Sequence, residues 1–395
     1  MAENKKNITI LTGAGLTAGK DFFGITTACL TKAFISYNHP DLTDDKELML
    51  FIYSEYCFWN KLDPTKIDGN LSQINFETIL QMIEELFSYV EDVERTHHKH
   101  KFQNSVKNTI YSLNRRLYFR INQVRNPKWK DLSYFFIEKI YNHLIDEIVR
   151  HLNPYNQDIN NAGMLGFKDF LNNQFDKNTH SRRVYTLNYD NWLNRYDNYF
   201  DGFINDKFDF KEVINNRITD CHYNLHGCIL WHRQLVCEKL AEPEERKHIQ
   251  SFDGYTISRE ALLPSPIISG YNKLTRINSS PLLEIFHSLT SDCATANKVL
   301  IVGYSFSDPH VNNNLKFIDK GTKVIVIVYY DKSCLTDTKS DFHRITWELN
   351  EIFGVQFNNL VIRNELNHTV DSDDGRVSIF INGIGQAFYD EYPKI

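Results

Sequence analysis

The residue types best suited to chemistry in this chain stand at the ends of short apolar runs. Ile8, Ile10 and Leu11 lead into Gly13-Ala14-Gly15, with Thr17 just beyond. A glycine turn between a strand and a helix lets the backbone come close to an anion and turns free N–H groups toward it, as in phosphate sites. A second apolar run, Val299 to Val302, leads into Gly303 and Ser305, and Asp308 stands before Pro309 in a position suited to capping a helix. Between these turns, Arg183-Val-Tyr-Thr-Leu-Asn-Tyr-Asp190 ends in Asn188 and Asp190, and His226 precedes Gly227. Asn188 offers a donor and an acceptor without charge, and histidine suits proton transfer near neutrality, which makes His226 the candidate general base. Each also has an ordinary reading: Gly-x-Gly is a common tight turn, asparagine a turn former, and a histidine before glycine a loop residue. Their joint placement favours function.

The elements that must position these residues follow from periodicity. The opening run reads as a strand, and Gly24–Tyr37 as a helix facing the glycine turn. Residues 39–65 show no clear period. Phe76, Ile79, Leu80, Ile83, Phe87 and Val90 fall at helical spacing and leave Glu77, Glu84, Glu85 and Glu91 on the surface. Leu132–Leu152 and 162–180 read as further helices. Strands are expected at Arg183–Asp190, Cys221–Gly227, Val299–Gly303 and Lys323–Tyr330, whose continuous apolar runs suit a parallel sheet covered on both faces. The expected fold is α/β: a doubly wound, Rossmann-like parallel sheet formed by residues 1–39 and 161–335. A helical insertion occupies 40–160, and 336–395 form a C-terminal extension with a helix near Ile345–Phe353, an alternating segment at Val377 and a solvated acidic loop at Asp371–Asp374.

The chain has 395 residues, 42% hydrophobic and 24% charged, a globular composition rich in Phe (27) and Tyr (21). A formal net charge of -6 argues against nucleic-acid binding as the main task. The basic, aromatic-dotted stretch from Arg95 to Lys130 reads as a solvated helix face opposite the acidic run Glu84–Glu94, and His97, His98 and His100 within it as surface residues. The seven cysteines are scattered without a Cys-x-x-Cys pair, so neither a disulfide framework nor a zinc ribbon is expected. No run approaches the length of a membrane span, and a cytoplasmic protein is expected.

The motifs, taken in order, resemble those of the sirtuin superfamily. Gly13-Ala-Gly-Leu-Thr17 is similar to its Gly-Ala-Gly-x-Ser turn, Thr186-Leu-Asn-Tyr-Asp190 to its Thr-x-Asn-x-Asp motif, and Leu225-His226-Gly227 to the segment of its catalytic histidine. Gly303-Tyr-Ser305-Phe-Ser-Asp308, the Phe76-Glu77 start of the insertion and Pro266–Lys273 resemble the NAD-cleaving branch of bacterial antiphage defence. The likeness spans about residues 7–331. It departs at Thr17, at Gly24-Ile25-Thr26, which lacks the usual proline, and in the missing zinc module.

The resemblance implies NAD as substrate and no metal. Asn188 and His226 are then the catalytic pair, with Asn188 orienting water or ribose hydroxyls. Gly13, Ala14, Gly15 and Thr17 hold pyrophosphate, Asp190 fixes the loop or the nicotinamide end, and Gly303, Ser305 and Asp308 meet the adenosine side. Without the zinc clamp for an acyl-lysine peptide, water is the expected acceptor, which makes the protein an NAD glycohydrolase depleting NAD in antiphage defence. The alternatives are a divergent deacylase or ADP-ribosyltransferase, and a non-catalytic NAD-sensing scaffold. Expected partners are further copies of the chain and, by resemblance, a hexameric HerA-type ATPase or an Argonaute-like protein, with the aromatic-rich insertion as contact surface.

Overall fold

The computed structural model describes residues 5–18, 27–36, 43–70, 74, 76–84, 134–158, 160–205, 207–216, 219–231, 267–268, 273–330, 341–358, 369–385, 388–389 and 392. Strands β1 (Lys6–Thr12), β2 (His180–Thr186), β5 (Cys221–Asn224), β6 (Lys298–Val302), β7 (Lys323–Ile327), β8 (Thr369–Asp371) and β9 (Val377–Phe380) form a seven-stranded sheet in the order β5-β2-β1-β6-β7-β9-β8. All pairs are parallel except β8–β9. β3 (Phe203–Ile204) and β4 (Lys207–Phe208) make a separate antiparallel pair. The Rossmann-like α/β expectation therefore holds.

The chain leaves β1 for β2 and β5 on one side, then returns to build β6 and β7 on the other. That reversal opens a crevice at the carboxyl ends of the strands, where open α/β sheets take their ligands. Register fixes which residues meet there. Thr12 is opposite both Thr186 and Val302, Thr186 is opposite Asn224, and Val302 is opposite Ile327. Gly13, Asn188, His226 and Gly303 each lie one or two residues beyond this row, so four distant motifs emerge at one edge.

Both faces are buried, as the continuous apolar strands require. Val324 and Val326 pack into one core with Leu11, Val299 and Ile301, while Ile325 and Ile327 pack into a second with Ile8, Ile10 and Leu300. The first core is shared with the inserted helices through Ile52, Ile79, Ile83, Ile140 and Ile145. The second is closed by the helix Ala162–Gln174, whose N-terminus is capped by Asn161 accepting from Met164 N–H at 3.1 Å, and by Phe388 and Tyr392. A buried ion pair, Arg183 Nε to Asp292 Oδ2 at 2.7 Å, ties β2 to the helix Leu282–Thr295, with Tyr185 Oη donating to the same carboxylate oxygen.

Several elements differ from the sequence reading. A helix runs over Thr43–Trp59 where no period was evident, because its sides are covered unequally: Ile52, Tyr53, Glu55 and Cys57 are buried while Phe58 is exposed. β2 begins earlier than expected and stops at Thr186, whose Oγ1 accepts from Asn188 N–H at 3.1 Å and turns the chain, so Asn188–Asp190 is a turn. The helix expected over 162–180 ends at Gln174, before a turn in which Asp176 O accepts from His180 N–H at 2.8 Å. The segment expected as an extension supplies β8 and β9 of the same sheet, and Asp371–Asp374 lies in their hairpin, where Asp374 accepts from Ser372 Oγ at 2.6 Å and Arg376 N–H at 3.0 Å. Glu84, expected on the surface, is buried. The basic stretch from Arg95 to Lys130, its histidines, Cys237 and Pro266 lie outside the described residues.

Candidate active site

The strand ends enclose a cleft of about 1110 Å³. Every residue singled out from the sequence lines it: Gly13, Ala14, Gly15, Thr17, Asn188, Asp190, His226, Gly303, Ser305 and Asp308.

The two glycine turns interlock. Gly303 has φ +63°, and a Cβ there would lie 2.2 Å from Leu16 N and 2.3 Å from Gly15 C. Reciprocally, a Cβ on Gly13 or Gly15 would come within 2.6 Å of Gly303. Gly13 N–H donates to Val302 O and Gly15 N–H to Gly303 O, both at 2.9 Å. These two amides are thus engaged by protein, and the glycines serve first to bring one backbone against another at the cleft floor. Thr17 Oγ1 donates to Ala14 O at 3.1 Å, which closes the same turn.

Asn188 and Asp190 are held from behind by a residue that sequence reasoning missed. Asn224, at the end of β5, donates from Nδ2 to Asn188 O at 2.9 Å and to Asp190 O at 2.7 Å. The Asn188 side-chain Nδ2 is buried without a hydrogen-bond partner among the described residues. An unpaired amide donor costs free energy unless something accepts from it. Asp190 is 8% exposed, and burial pushes its carboxyl up to about 7, opposed only by backbone N–H donors such as Trp192 at 3.4 Å.

His226 is fixed by Asp308, for which the resemblance implied a place on the adenosine side and the sequence also offered a helix cap. Asp308 Oδ1 caps the helix Pro309–Leu315 by accepting from His310 N–H at 2.9 Å, while Oδ2 receives His226 Nε2 at 2.8 Å and the Lys273 ammonium. Burial alone would raise this carboxyl, but the hydrogen bond and charge of His226, joined by Lys273, hold it well below the usual carboxylate range. Both oxygens are engaged by protein groups. An ionised acceptor at Nε2 selects the imidazole tautomer that carries its proton there and leaves Nδ1 as acceptor. Nδ1 has no hydrogen-bond partner among the described residues. His222, by contrast, is buried beside Asn191 and pushed down to about 4, outside the cleft.

The loop from Gly303 to Asp308 is braced internally. Tyr304 Oη donates to Asn312 Oδ1 at 2.7 Å and accepts from Asp308 N–H at 3.2 Å, while Asn312 Nδ2 donates to Phe306 O at 2.8 Å. Phe306 takes a left-handed backbone, φ 58°, stabilised by complete burial of its ring against Tyr304. Ser305 is exposed on the rim, its Oγ 2.8 Å from that of Ser307.

Residues 182–350 match the family model of the SIR2-like domain. The chain carries a SIR2-like domain. No curated protein matches the sequence. The match runs from within β2 into the helix Asp341–Phe353, so it contains Asn188, Asp190, His226, Gly303 and Asp308. The Gly13–Thr17 turn lies outside the matched range and joins the SIR2-like domain through its contact with Gly303. Domains of this type are generally NAD-dependent. Among the described residues, no group of three or more His, Cys, Asp or Glu side chains is placed to hold a metal ion, and no helix is long and apolar enough to cross a membrane.

Proposed function

We propose that the protein hydrolyses NAD to nicotinamide and ADP-ribose. The observation that carries the reading is the pairing, in one cleft, of an unpartnered Asn188 amide with a histidine whose Nε2 is tied to an ionised Asp308. In the reaction the bond from ribose C1′ to the nicotinamide nitrogen breaks and its electron pair leaves with nicotinamide. Positive charge builds on the sugar, as in glycoside hydrolysis. Water adds its oxygen to C1′ and gives its proton to His226 Nδ1, while Asp308 stabilises the imidazolium so formed. Asn188, neutral and able to donate, orients water or a ribose hydroxyl without forming an ion pair with the developing cation. The turn around Gly13–Thr17 and the Gly303–Ser305 rim bound the space for the remainder of the dinucleotide.

Water as acceptor is favoured by the absence of any Cys-x-x-Cys pair in the sequence, since the peptide clamp of deacylating sirtuins is built on two such pairs. The test is chromatography of NAD incubated with the purified chain. Nicotinamide and ADP-ribose should accumulate without an acceptor, and Asn188→Ala or His226→Ala should cut the rate by about 10²–10⁴-fold with the fold retained. Turnover only with an acylated or acceptor protein would establish the deacylase or ADP-ribosyltransferase reading instead, and binding without turnover the scaffold. Assembly into a homo-oligomer, which would restrain a hydrolase harmful to its own cell, belongs to the same proposal, as do pairing with a HerA-type or Argonaute-like partner and a role in antiphage defence, which rest on the resemblance of the motifs. Mass photometry, with turnover measured with and without such partners, tests them.

A further inference from the structure

The cleft contains a carboxylate that hydrolysis as described does not use. Glu77, in the inserted helix 76–84, lines the cleft and accepts a hydrogen bond from Tyr189 Oη at 2.8 Å. Tyr189 is the residue between Asn188 and Asp190. Burial, reinforced by the Glu77 charge, pushes its hydroxyl well above the usual range, so it remains a protonated donor. Phe76 meets the Tyr189 ring edge-on at 6.1 Å, and Phe76 N–H is anchored to Thr31 Oγ1 at 2.9 Å.

Two turns along, Glu84 ties the same helix to two further elements. It accepts from Tyr141 Oη at 2.8 Å and pairs with Arg276 at 3.0 Å, both partners buried. Arg276 also donates to Ile267 O at 3.1 Å, and the adjoining Ile268 N–H donates to His226 O at 2.6 Å. A single helix thus reaches the turn that carries Asn188 through Glu77 and the backbone of His226 through Glu84.

We propose that the helix 76–84 sets the placement of Asn188 relative to His226, and that Glu77 is a positioning residue acting through Tyr189. The proposal rests on the reading of Asn188 and His226 as the reacting pair. It requires a hydrogen-bond acceptor at residue 77 rather than a charge, because the contact made is to a neutral hydroxyl. Glu77→Gln keeps an acceptor and loses the charge, Glu77→Ala loses both, and Tyr189→Phe removes the donor.

The experiment combines amide hydrogen exchange over residues 187–191 with steady-state NAD hydrolysis in these variants and in the double variant Glu77→Ala/Tyr189→Phe. In Glu77→Ala and Tyr189→Phe, exchange should quicken by about tenfold or more. With these displacements, kcat should fall by about 10²-fold in Glu77→Ala while KM moves by less than about threefold. Glu77→Gln should behave as wild type in both measurements, and the double variant should be no worse than Glu77→Ala, since both changes break one contact. Native exchange in a folded Glu77→Ala, a Glu77→Gln as impaired as Glu77→Ala, or additive losses would each overturn the proposal. A wild-type chain inert toward NAD would refute the functional reading, and the exchange data would still decide whether Glu77 positions the turn.

Discussion

Asp190 and Asp308 border the same cleft, both nearly buried, yet they are driven in opposite directions. Asp190 sits on the turn after β2 with backbone N–H donors and, among the described residues, no cation, and burial lifts its carboxyl to about 7. Asp308 begins the helix after β6, where burial is outweighed by His226 and Lys273 and the carboxylate stays ionised. Near neutrality, one group can hold a proton while the other holds a charge. The difference teaches that depth alone does not decide protonation; what decides it is whether a positive partner shares the burial. On the proposed function, carboxyls separated in this way divide labour: Asp308 would support the base His226, and Asp190 would donate to a ligand amide.

The sharpest way to break this comparison is to neutralise Asp308. Asp308→Asn keeps the size of the side chain and an acceptor for His310 N–H, but removes the charge that stabilises an imidazolium and permits the wrong tautomer of His226. NAD cleavage is expected to fall by about 10²–10⁴-fold, with binding of the dinucleotide little changed. Single-turnover kinetics beside calorimetric binding would check this. A folded Asp308→Asn with wild-type turnover would remove Asp308 from the mechanism.

Much of this arrangement was legible in the sequence because strand ends are local. Lys323–Ile327 could be recognised from an uninterrupted apolar run, and the motifs after β1, β2, β5 and β6 reach one cleft because parallel register aligns the rows that precede them. What those residues touch was not legible. His226 and Asp308 are 82 positions apart, and Tyr189 and Glu77 are 112 apart, separations that carry no periodicity. Asp308 was accordingly read as meeting the adenosine side or capping its helix; the cap is present, and the contact with His226 was not visible. Glu77 and Glu84 read as surface residues because acidic side chains beside an apolar stripe usually are; their spacing of two helical turns, which puts them on one face, was the available signal. The hairpin β8–β9 was half visible in the alternation at Val377, but nothing nearby marked the strand that it joins.

A second prediction turns on Asp190. Its folded value lies above the ordinary 3.8, so between these pH values the native state holds a proton that the unfolded chain has released. Wild-type stability therefore declines as pH rises from about 4 to about 7 and levels off above. Asp190→Asn keeps an acceptor for Trp192 N–H and removes that decline. The variant should match wild type near pH 4 and exceed it above pH 7, by an amount on the order of 4 kcal/mol. Urea unfolding at several pH values measures the gap. A difference that does not grow with pH would place the Asp190 carboxyl in its ordinary range and undo the contrast with Asp308.

The smallest effect expected concerns Lys273, which shares Asp308 Oδ2 with His226 and is only partly exposed. Lys273→Met preserves the length of the side chain along the cleft wall and deletes one of the two partners that lower the Asp308 carboxyl. For a carboxylate lowered in the folded state, the stabilisation is complete above the unfolded value and is lost as pH falls through the folded one. The variant should accordingly be less stable than wild type by about 1 kcal/mol at neutral pH, a size appropriate to a half-buried pair whose carboxylate keeps another partner. That deficit should persist undiminished down to about pH 4 and close only further down, as pH falls through the folded values of Asp308 in the two proteins. Turnover should drop far less than in Asp308→Asn, since His226 retains its hydrogen bond. Thermal unfolding from pH 3 to pH 8, with nicotinamide release at neutral pH, reads both. A Lys273→Met chain as inactive as Asp308→Asn would mean that Lys273 itself meets the substrate, and that Asp308 is divided between two working side chains.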